Sequence, residues 1–515
     1  MHAATPITAT ELAALQAVGL GELGARLLQR IESDRREIDW RDAKIEKLTF
    51  EMAQLKRVKF GKKSEQLNAE QRALFDEAVD ADIAAIEAQL QELLATKKPQ
   101  RETGERPKRE ALPAGLPRVE RHHEPENTMC ACGCALRRVG EDVSEKLDYT
   151  PGVFTVERHI RGKWACSQCR TLTQAPVPAE IIDKGIPTSG LLAQVLVAKY
   201  ADHLPLYRQE AIFGRAGLAL PRSTLGAWVG VCGLRLQPLV DALKAQVLSC
   251  PVVHADETPV AMLAPGNGKT HRAYLWAYAA GSFEPLRAVV YDFTRTRAGE
   301  HARAFLGNWR GSLVCDDYTG YKASFALGVT EVGCMAHARR KFVELHASNK
   351  STIAITAIDF IGQLYGIEHQ IKDLDAEQRR HERRTRAAPI AKALHDWLIA
   401  QRTKITDGTA TAKAIDYSLN RWVALMRYLD DPALPIDNNH DEQQIRPWAT
   451  GRKNWLFAGT LMAGQRAAAI MSLIQSAKLN GHDPYAYIKD VLMRLPTHRA
   501  RDIDELLPHR WAPQG

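Results

Sequence analysis

The sequence lacks any apolar run that approaches the roughly 20 residues needed to cross a bilayer, which excludes a membrane-spanning helix. Its amino terminus, MHAATPITATELAALQ, also lacks the basic start and the continuous apolar stretch of a signal peptide. A cytoplasmic location is therefore expected. In that compartment, nine cysteines in a chain of 515 residues indicate thiols or metal ligands and argue against a disulfide framework.

The chain has no strong excess of either charge, since 69 Lys and Arg face 61 Asp and Glu, for a net charge of +8 and a pI near 8.9. This mild excess favours polyanionic partners without identifying one. The length exceeds what one hydrophobic core supports, so several domains are expected. Helical and strand patterns both occur, and together they predict a multi-domain α+β protein.

Residues 1–95 are predicted to be a helical region. Apolar residues recur there at the seven-residue spacing of a coiled coil, at Ile31, Ile38, Ile45 and Met52. We interpret this seam as a short coiled coil that pairs two chains. The alternative is an amphipathic helix that packs on its own chain. A second helix is predicted from about residue 68 to residue 95.

Residues 96–118 are rich in proline, glycine and charge, which predicts a linker. The following segment, residues 119–180, holds five of the nine cysteines in the motifs CACGC and CSQC. Strand-like segments and a cysteine–glycine knuckle around such motifs predict a zinc ribbon, in which structural zinc would hold a small coreless module together. Cys134 competes for one upstream position, and unligated buried cysteines are the alternative, but the favoured ligands are Cys130, Cys132, Cys166 and Cys169.

Residues 181–248 read as helical. The stretch LYRQEAIFGRAGLALPRSTLGAWVG predicts one helix, a glycine-containing turn and a second helix, which is capped by Ser223 or Thr224 and ends near Trp228 and Val229. This pattern favours a helix-turn-helix-like DNA-binding domain, with Arg222 among its predicted DNA contacts. The alternative is a pair of helices that binds no DNA, because such pairs are also common in proteins without DNA.

Over residues 249–345 the sequence pattern changes from helical to strand-like. PVVHADETPVAML, HRAYLWAYAAG and LRAVVYDFTRTR predict three consecutive strands, AGEHARAFLGNW predicts a helix, and GSLVCDDYTGY and TEVGCMAHARRKF each predict a strand that leads into a turn or helix. This order is that of a ribonuclease H-like core. It places Asp256 near the end of the first strand and Asp316 at the end of the fourth, so adjacent central strands would bring the two carboxylates together.

Two like charges about 4 Å apart repel by roughly 4 kcal/mol at an effective dielectric near 20, so the pair needs a proton or a cation. Magnesium prefers such oxygen ligands. Glu442 is the predicted third ligand, because a helix that begins near residue 438 would place Glu442 and Arg446 on one face and point Asp441 elsewhere. Pro447 is expected to end or bend that helix.

Basic residues around Glu442 are placed to meet phosphates that the metal ions would attract, and they are Arg446, Arg452 and Lys453. A surface ion pair between Glu442 and Arg446 is the alternative. Asp316 follows Asp256 by 60 residues (316 − 256), whereas Glu442 follows Asp316 by 126 (442 − 316). The longer gap reads as helical throughout. It predicts an all-helical insertion over residues 346–435, with residues 436–515 completing the core and adding C-terminal helices.

The motifs ADETPV, CDDYTGY, GCMAHARRKF and NNHDEQQIRPWATGRKNWLFAG, in this order and after a cysteine module, resemble the insertion sequence 66 family of DDE transposases. The resemblance implies a ribonuclease H-like catalytic domain with Asp256, Asp316 and Glu442 as its three acids. It assigns Asp316 over Asp317, which stands where that family has glycine. Met129 stands where the family has its first zinc-ligating cysteine, so Cys130 would substitute.

The same resemblance places Cys334 and His337 in a C-x-x-H element, where His337 is a candidate catalytic residue and Arg339 and Arg340 are candidate DNA contacts. It implies cleavage and strand transfer at DNA with Mg²⁺ or Mn²⁺. The expected partners are terminal repeats, target DNA, a second copy of the chain and accessory proteins of the same element, and the expected location is the nucleoid. The alternatives are a non-catalytic DNA-binding regulator and a nuclease that only hydrolyses.

Overall fold

The computed structural model describes residues 21–60, 69–94, 112, 114, 116–125, 128–129, 134–150, 152–182, 185–264, 269–455 and 457–513. The chain divides into two compact units, the first made of residues 1–63 and 82–108 and the second of residues 64–81 and 109–515. In those described ranges, the longest apolar helical stretches are all too short or too polar to span a bilayer.

The first unit contains helix α1, Gly21–Phe60, and the part of helix α2, Ala69–Leu94, that follows Ala81. Both helices agree with the sequence prediction. Ile31 and Ile38 of the heptad seam are more than half exposed in the single chain. Pairing with a second chain therefore stays a prediction, and most of the predicted linker lies outside the described residues.

The cysteine-containing segment forms a sheet of four strands: β1 Arg118–His123, β2 Leu136–Thr150, β3 Val153–Cys166 and β4 Leu172–Gln174. Strand β3 is central, pairing parallel with β1 and antiparallel with β2 and β4. The expectation of a coreless module is wrong. Leu147, Phe154 and Val156 are buried and belong to the core that also contains Leu191 and Leu192 of the next helix.

Three helices follow: α3 Ser189–Tyr200, α4 Leu206–Arg215 and α5 Arg222–Val247. The pair α4–α5 matches the predicted two-helix pattern. The predicted end of α5 near Trp228 and Val229 is wrong, because both side chains are buried inside a helix of 26 residues. The predicted caps are also wrong. Pro221 occupies the N-cap position, and Ser223 and Thr224 lie in the first turn of the helix.

The second sheet has five strands: β5 Val252–Met262, β6 His271–Ala280, β7 Val289–Thr294, β8 Ser312–Cys315 and β9 Thr330–Gly333. Their order is β7-β6-β5-β8-β9, with the first three antiparallel and with β8 and β9 parallel to β5. The strands predicted from the sequence are confirmed. Helices α6 Gly299–Leu306 and α7 Lys322–Ala326 lie in the connections, α7 after a 3₁₀ turn at Thr319–Tyr321, and α8 Met335–Asn349 follows β9.

The segment predicted as an all-helical insertion forms a run of helices, and its buried cluster also includes Val252, Val314 and Val332 of the sheet. It comprises α9 Thr352–Ile371, α10 Ala376–Glu382, a π-helical turn Arg383–Ala387, α11 Ala388–Arg402, α12 Ala410–Asn420, α13 Trp422–Met426 and a 3₁₀ turn Arg427–Leu429. Arg383 is fully buried in it, and its guanidinium pairs with Glu368 at 2.7 Å and donates to the carbonyl of Tyr428.

The chain then returns to the sheet with α14 Asn439–Trp455, α15 Leu461–Leu479, α16 Pro484–Arg494 and a 3₁₀ segment Ala500–Leu506. Pro447 does not end α14, which continues to Trp455. Helix α15 covers the edge strand β7. The backbone N–H of Val289 donates to the hydroxyl of Ser476, and the backbone N–H of Tyr291 donates to the hydroxyl of Ser472. A sheet edge satisfied in this way is not open to another strand.

Candidate active site

Strand pairing brings Asp256 and Asp316 together. Strands β5 and β8 run parallel, with Val252 opposite Ser312 and His254 opposite Val314. Asp256 and Asp316 each lie two residues beyond the last of these pairs. Because side chains two residues apart share a face of a strand, both carboxylates lie on the same side at the carboxyl end of β8.

Backbone donors hold both aspartates. The N–H of Glu257 donates to Asp256 Oδ1 at 2.9 Å, and the N–H of Tyr318 donates to Asp316 Oδ1 at 2.9 Å. Burial raises the pKa of Asp256 well above its usual range, and the neighbouring charges of Glu257, Asp316 and Glu442 raise it further. An acid in these surroundings keeps a proton or gains a cation.

Glu442 lies in the first turn of α14 and faces the C-x-x-H element. Its Oε1 is 3.7 Å from His337 Nδ1, and its Oε2 is 3.6 Å from the guanidinium of Arg340. Ligand atoms of Cys334, His337 and Glu442 all lie within 4.8 Å of one another. Within the described part of the chain, Glu442 Oε1 and His337 Nδ1 are buried and have no hydrogen-bond partner.

Burial lowers the pKa of His337, as does the positive Arg340, while Glu442 acts in the opposite direction. The neutral form of the ring is therefore favoured. A neutral imidazole beside a carboxylate can orient that carboxylate or accept a proton, and it adds no charge to the site.

Asn438 joins the elements that carry the acids. Its side chain is fully buried, and its Nδ2 donates to the carbonyl of Ala255 at 2.9 Å while its Oδ1 lies 2.7 Å from His254 Nδ1. Its backbone N–H donates to Cys334 Sγ at 3.2 Å, and its carbonyl accepts the N–H of Glu442 at 3.1 Å. Asn438 therefore fixes the start of α14 against the strand segment that precedes Asp256.

An ion pair distinguishes Asp317 from Asp316. Arg421 of the helical insertion is buried, and its guanidinium contacts Asp317 Oδ1 at 2.6 Å and Glu331 at 2.8 Å. The same guanidinium donates to the backbone carbonyl of Asp316. The carboxylate of Asp317 is thus paired with Arg421, whereas the carboxylate of Asp316 accepts the backbone N–H of Tyr318.

The sequence interpretation missed Glu257, and it pointed Asp441 away from the site, whereas Asp441 lies near enough to Asp256 for that carboxylate to raise its pKa. Glu257 has a buried side chain, which contacts Arg297 Nε at 2.8 Å and the hydroxyl of Tyr321 at 2.8 Å. Asp441 is fully buried, and neither carboxylate oxygen has a hydrogen-bond partner among the residues that the structure describes. Burial raises the pKa of Asp441 well above its usual range, and Asp256, Glu257 and Glu442 add to the shift.

The predicted DNA-contacting residues differ in their surroundings. Arg452 donates to Thr258 Oγ1 and to the carbonyl of Pro259, so it ties α14 to β5. Arg222 is the first residue of α5. The remaining predicted contacts have exposed side chains, and they are Arg339, Arg340, Arg446 and Lys453.

The second half of the predicted zinc site has the geometry of a knuckle. Cys166 ends β3, the N–H of Cys169 lies 3.5 Å from Cys166 Sγ, and Arg170 adopts a left-handed backbone with φ of 57°. Leu136 pairs with Cys166, which brings the segment containing Cys134 close. Such a turn suits a C-x-x-C metal ligand pair. Cys130 and Cys132 lie outside the described residues, so the choice between the upstream cysteines stays a prediction.

Four family descriptions match the chain. "Transposase IS66 family" matches residues 184–466 and "IS66 C-terminal element" matches residues 472–509. The description "zinc-finger binding domain of transposase IS66" matches residues 127–170, which supports structural zinc. "Transposase C of IS166 homeodomain" matches residues 47–121.

Similar proteins occur in Sinorhizobium fredii. The uncharacterized protein y4jD is 39% identical over 417 residues, which cover 78% of this chain and 81% of that protein. The uncharacterized protein y4qI is 36% identical over 496 residues, or 92% of this chain and 90% of that protein. The uncharacterized protein y4hP is 33% identical over 494 residues, or 91% of this chain and 88% of that protein.

Proposed function

The chain belongs to the IS66 family of transposases, and from this membership we propose that it is a DDE transposase that cuts and joins DNA at the ends of an insertion sequence. The observation that supports the proposal is the grouping of acidic charges around Asp256. Asp256 and Asp316 follow the paired residues of two parallel strands, and Glu442 lies in the first turn of the helix that follows the helical segment. Burial raises the pKa of Asp256, and the charges of Asp316 and Glu442 raise it further.

The sheet supports a ribonuclease H-like core. In sequence order its strands are arranged 3-2-1-4-5, with an antiparallel meander followed by two strands parallel to the first. The helices from Thr352 to Leu429 interrupt this core before α14. The proposed fold thus explains why Glu442 lies so far from Asp316 in the sequence.

The donor set fits divalent magnesium or manganese. Asp256, Asp316 and Glu442 offer carboxylate oxygens, which are the ligands these ions prefer. Among the described residues, the buried Glu442 Oε1 has no hydrogen-bond partner, and Asp256 lies among like charges. When bound by these acids, the ions would polarise the attacking water or 3′ hydroxyl and stabilise the leaving oxygen.

The chain's own residues hold the acids and approach the DNA. Backbone N–H groups orient Asp256 and Asp316, and Asn438 fixes the helix of Glu442. The three acids would act as metal ligands, so this mechanism requires no covalent bond between the protein and DNA. The exposed Arg446 and Lys453 on the same helix are placed to contact phosphates, which would make binding depend on salt.

DNA is the partner that the matched transposase domains imply. We further propose that α1 pairs two chains, because exposed Ile31 and Ile38 leave an apolar seam along its surface. Two paired chains would hold two element ends in one complex at the nucleoid. Accessory proteins of the same element are proposed as additional partners.

The proposal is tested by incubating the full-length protein with Mg²⁺ and DNA that carries its own flanking repeats. Asp256→Asn, Asp316→Asn and Glu442→Gln should each reduce cleavage by more than about 100-fold, because each removes a metal ligand. Asp317→Asn is the matched control and should cut at nearly the parental rate. If Asp256→Asn cuts normally, the assignment is wrong.

The DNA products of this assay distinguish a transposase from the two alternatives, a hydrolytic nuclease and a non-catalytic regulator. Joined as well as cut DNA is the result expected of a transposase. Cut DNA without joining would favour a hydrolytic nuclease, and bound but intact DNA would favour a regulator.

A further inference from the structure

A groove lies between α8 and α9 beside the candidate active site. Its volume is about 520 Å³, and its walls include Arg339, Arg340 and Val343 of α8 and Gly362 and Tyr365 of α9. The groove is continuous with the site at two points. The Arg340 guanidinium is 3.6 Å from Glu442, and Asn439, the first residue of α14, also lines the groove.

The wall from α9 is smooth at Gly362, which lines the groove and has no side chain. Gly366 lies one turn further along the same exposed side of the helix, and a Cβ atom added at either glycine would meet nothing within 4 Å. Glycine inside a helix is less favourable than alanine, so packing within the chain gives no reason for these two residues. Close approach of another molecule to the helix backbone would give one.

The opposite wall is basic. Arg339 and Arg340 are exposed on successive positions of α8, whose apolar face is turned to the core through Ala338 and Phe342. Two guanidinium groups opposite a smooth helix surface complement a phosphodiester backbone, which carries regular negative charge and needs room for its sugars.

Asp437 fixes the position of the α9 wall. The hydroxyl of Tyr365 donates to Asp437 Oδ2 at 2.6 Å, and the side-chain amide of Asn439 donates to the same oxygen at 2.6 Å. The helical insertion is thereby joined to the beginning of the helix that carries Glu442. The α9 wall of the groove is therefore tied to the helix that carries this carboxylate.

We propose that this groove holds the backbone of a DNA strand as it enters the carboxylate site, so that the helical insertion forms one wall of the DNA channel. Arg339 and Arg340 pair with its phosphates, and the Gly362–Gly366 side of α9 allows the strand to approach. This inference rests on the proposed function, since it assigns the path of the proposed substrate.

The first test measures the affinity of the full-length protein for a fluorescein-labelled duplex of random sequence at a series of salt concentrations. Arg339→Ala should reduce the slope of log affinity against log salt by about 0.9, the value for one lost phosphate contact on duplex DNA. An unchanged slope would overturn the inference. Arg339 is preferred to Arg340 because it has no contact with Glu442 among those the structure records in the described residues.

The second test blocks the smooth wall. Gly362→Leu should weaken binding of the same duplex by about five- to tenfold, as expected when one or two backbone contacts are lost. Its thermal midpoint should not fall, because leucine is a better helix former than glycine. Ala393→Leu is the control, since Ala393 is an exposed residue inside helix α11 of the same helical segment and does not line the groove. Equal binding by both variants would contradict the inference.

The two proposals fail in different ways. Asp256→Asn should bind the duplex like the parent and fail to cut repeat-containing DNA. If that variant behaves as expected while Arg339→Ala and Gly362→Leu bind normally, the groove inference is wrong and the proposed function stands. If Asp256→Asn still cuts, the proposed function fails whatever the groove variants show.

Discussion

Asp441→Asn should stabilise the protein at neutral pH. Asp441 is fully buried, and its two oxygens have no hydrogen-bond partner within the described ranges. Burial and the nearby acids raise its pKa, so the folded protein keeps it protonated at a pH where the unfolded chain ionises it. Asparagine has nearly the same shape and removes that ionisation.

The sign of the pH dependence follows from linkage. A carboxyl whose pKa is raised by folding causes no loss of stability below its unfolded value near 3.9, and stability is lost as pH rises towards the folded pKa. Each pH unit in that interval costs about 1.4 kcal/mol. At pH 7 the variant should therefore be more stable than the parent by about 1–3 kcal/mol, allowing for the amide that remains buried without a partner. Near pH 4 the difference should shrink towards zero.

The measurement is urea unfolding followed by tryptophan fluorescence at several pH values. Asp373→Asn is the matched control, because the side chain of Asp373 is 88% exposed and its removal should change stability little at any pH. A stability difference for Asp441→Asn that does not vary with pH would refute the reasoning. So would a parent that is more stable than the variant at pH 7.

Three further predictions concern the groups that surround the acids and the zinc site. Asn438→Ala should weaken the apparent affinity for Mg²⁺ in cleavage assays by about 10–100-fold, with partial rescue at high Mg²⁺, because the helix of Glu442 loses its anchor. A purely structural role would lower the rate at every Mg²⁺ concentration alike. Arg421→Met should lower the free energy of unfolding by about 2 kcal/mol, measured by urea titration, since Asp317 and Glu331 lose their shared cation. An unchanged free energy of unfolding would mean that this ion pair contributes little to stability. Cys166→Ser should reduce the zinc content of the purified protein, measured by a colorimetric chelator, and should lower its thermal midpoint. Parental zinc content would argue against Cys166 as a ligand.

Most of the strands and helices could be predicted from local patterns, because periodicity reports which side of an element is apolar. The strands that carry Asp256 and Asp316 follow directly from their apolar runs, and the all-helical insertion follows from its 3.6-residue periodicity. Local patterns failed at helix ends. Helix α5 continues past Val229 because its apolar residues pack on the surrounding core, which a search for caps does not detect.

The partners of individual polar side chains could not be predicted. Asn438 contacts residues 104 and 184 positions away, and Arg421 contacts Asp317 at a separation of 104. No local pattern indicates such contacts. Only the family resemblance distinguished Asp316 from Asp317 in the sequence, and the structure adds that Asp317 forms an ion pair with Arg421.

By itself, the sequence determined the order of the strands along the chain, because apolar runs show where they lie, and its ordered motifs indicated the family. The three acids Asp256, Asp316 and Glu442 stay a prediction from the sequence. Only the tertiary structure decided that Asp441 is buried without a hydrogen-bond partner in the described chain, that Asn438 anchors the last helix, and that a basic groove leads to Glu442. These features depend on which distant segments pack together. The whole fold determines which distant side chains pack against a buried polar group. Because the free energy of that group depends on these neighbours, it cannot be predicted from a local stretch of sequence.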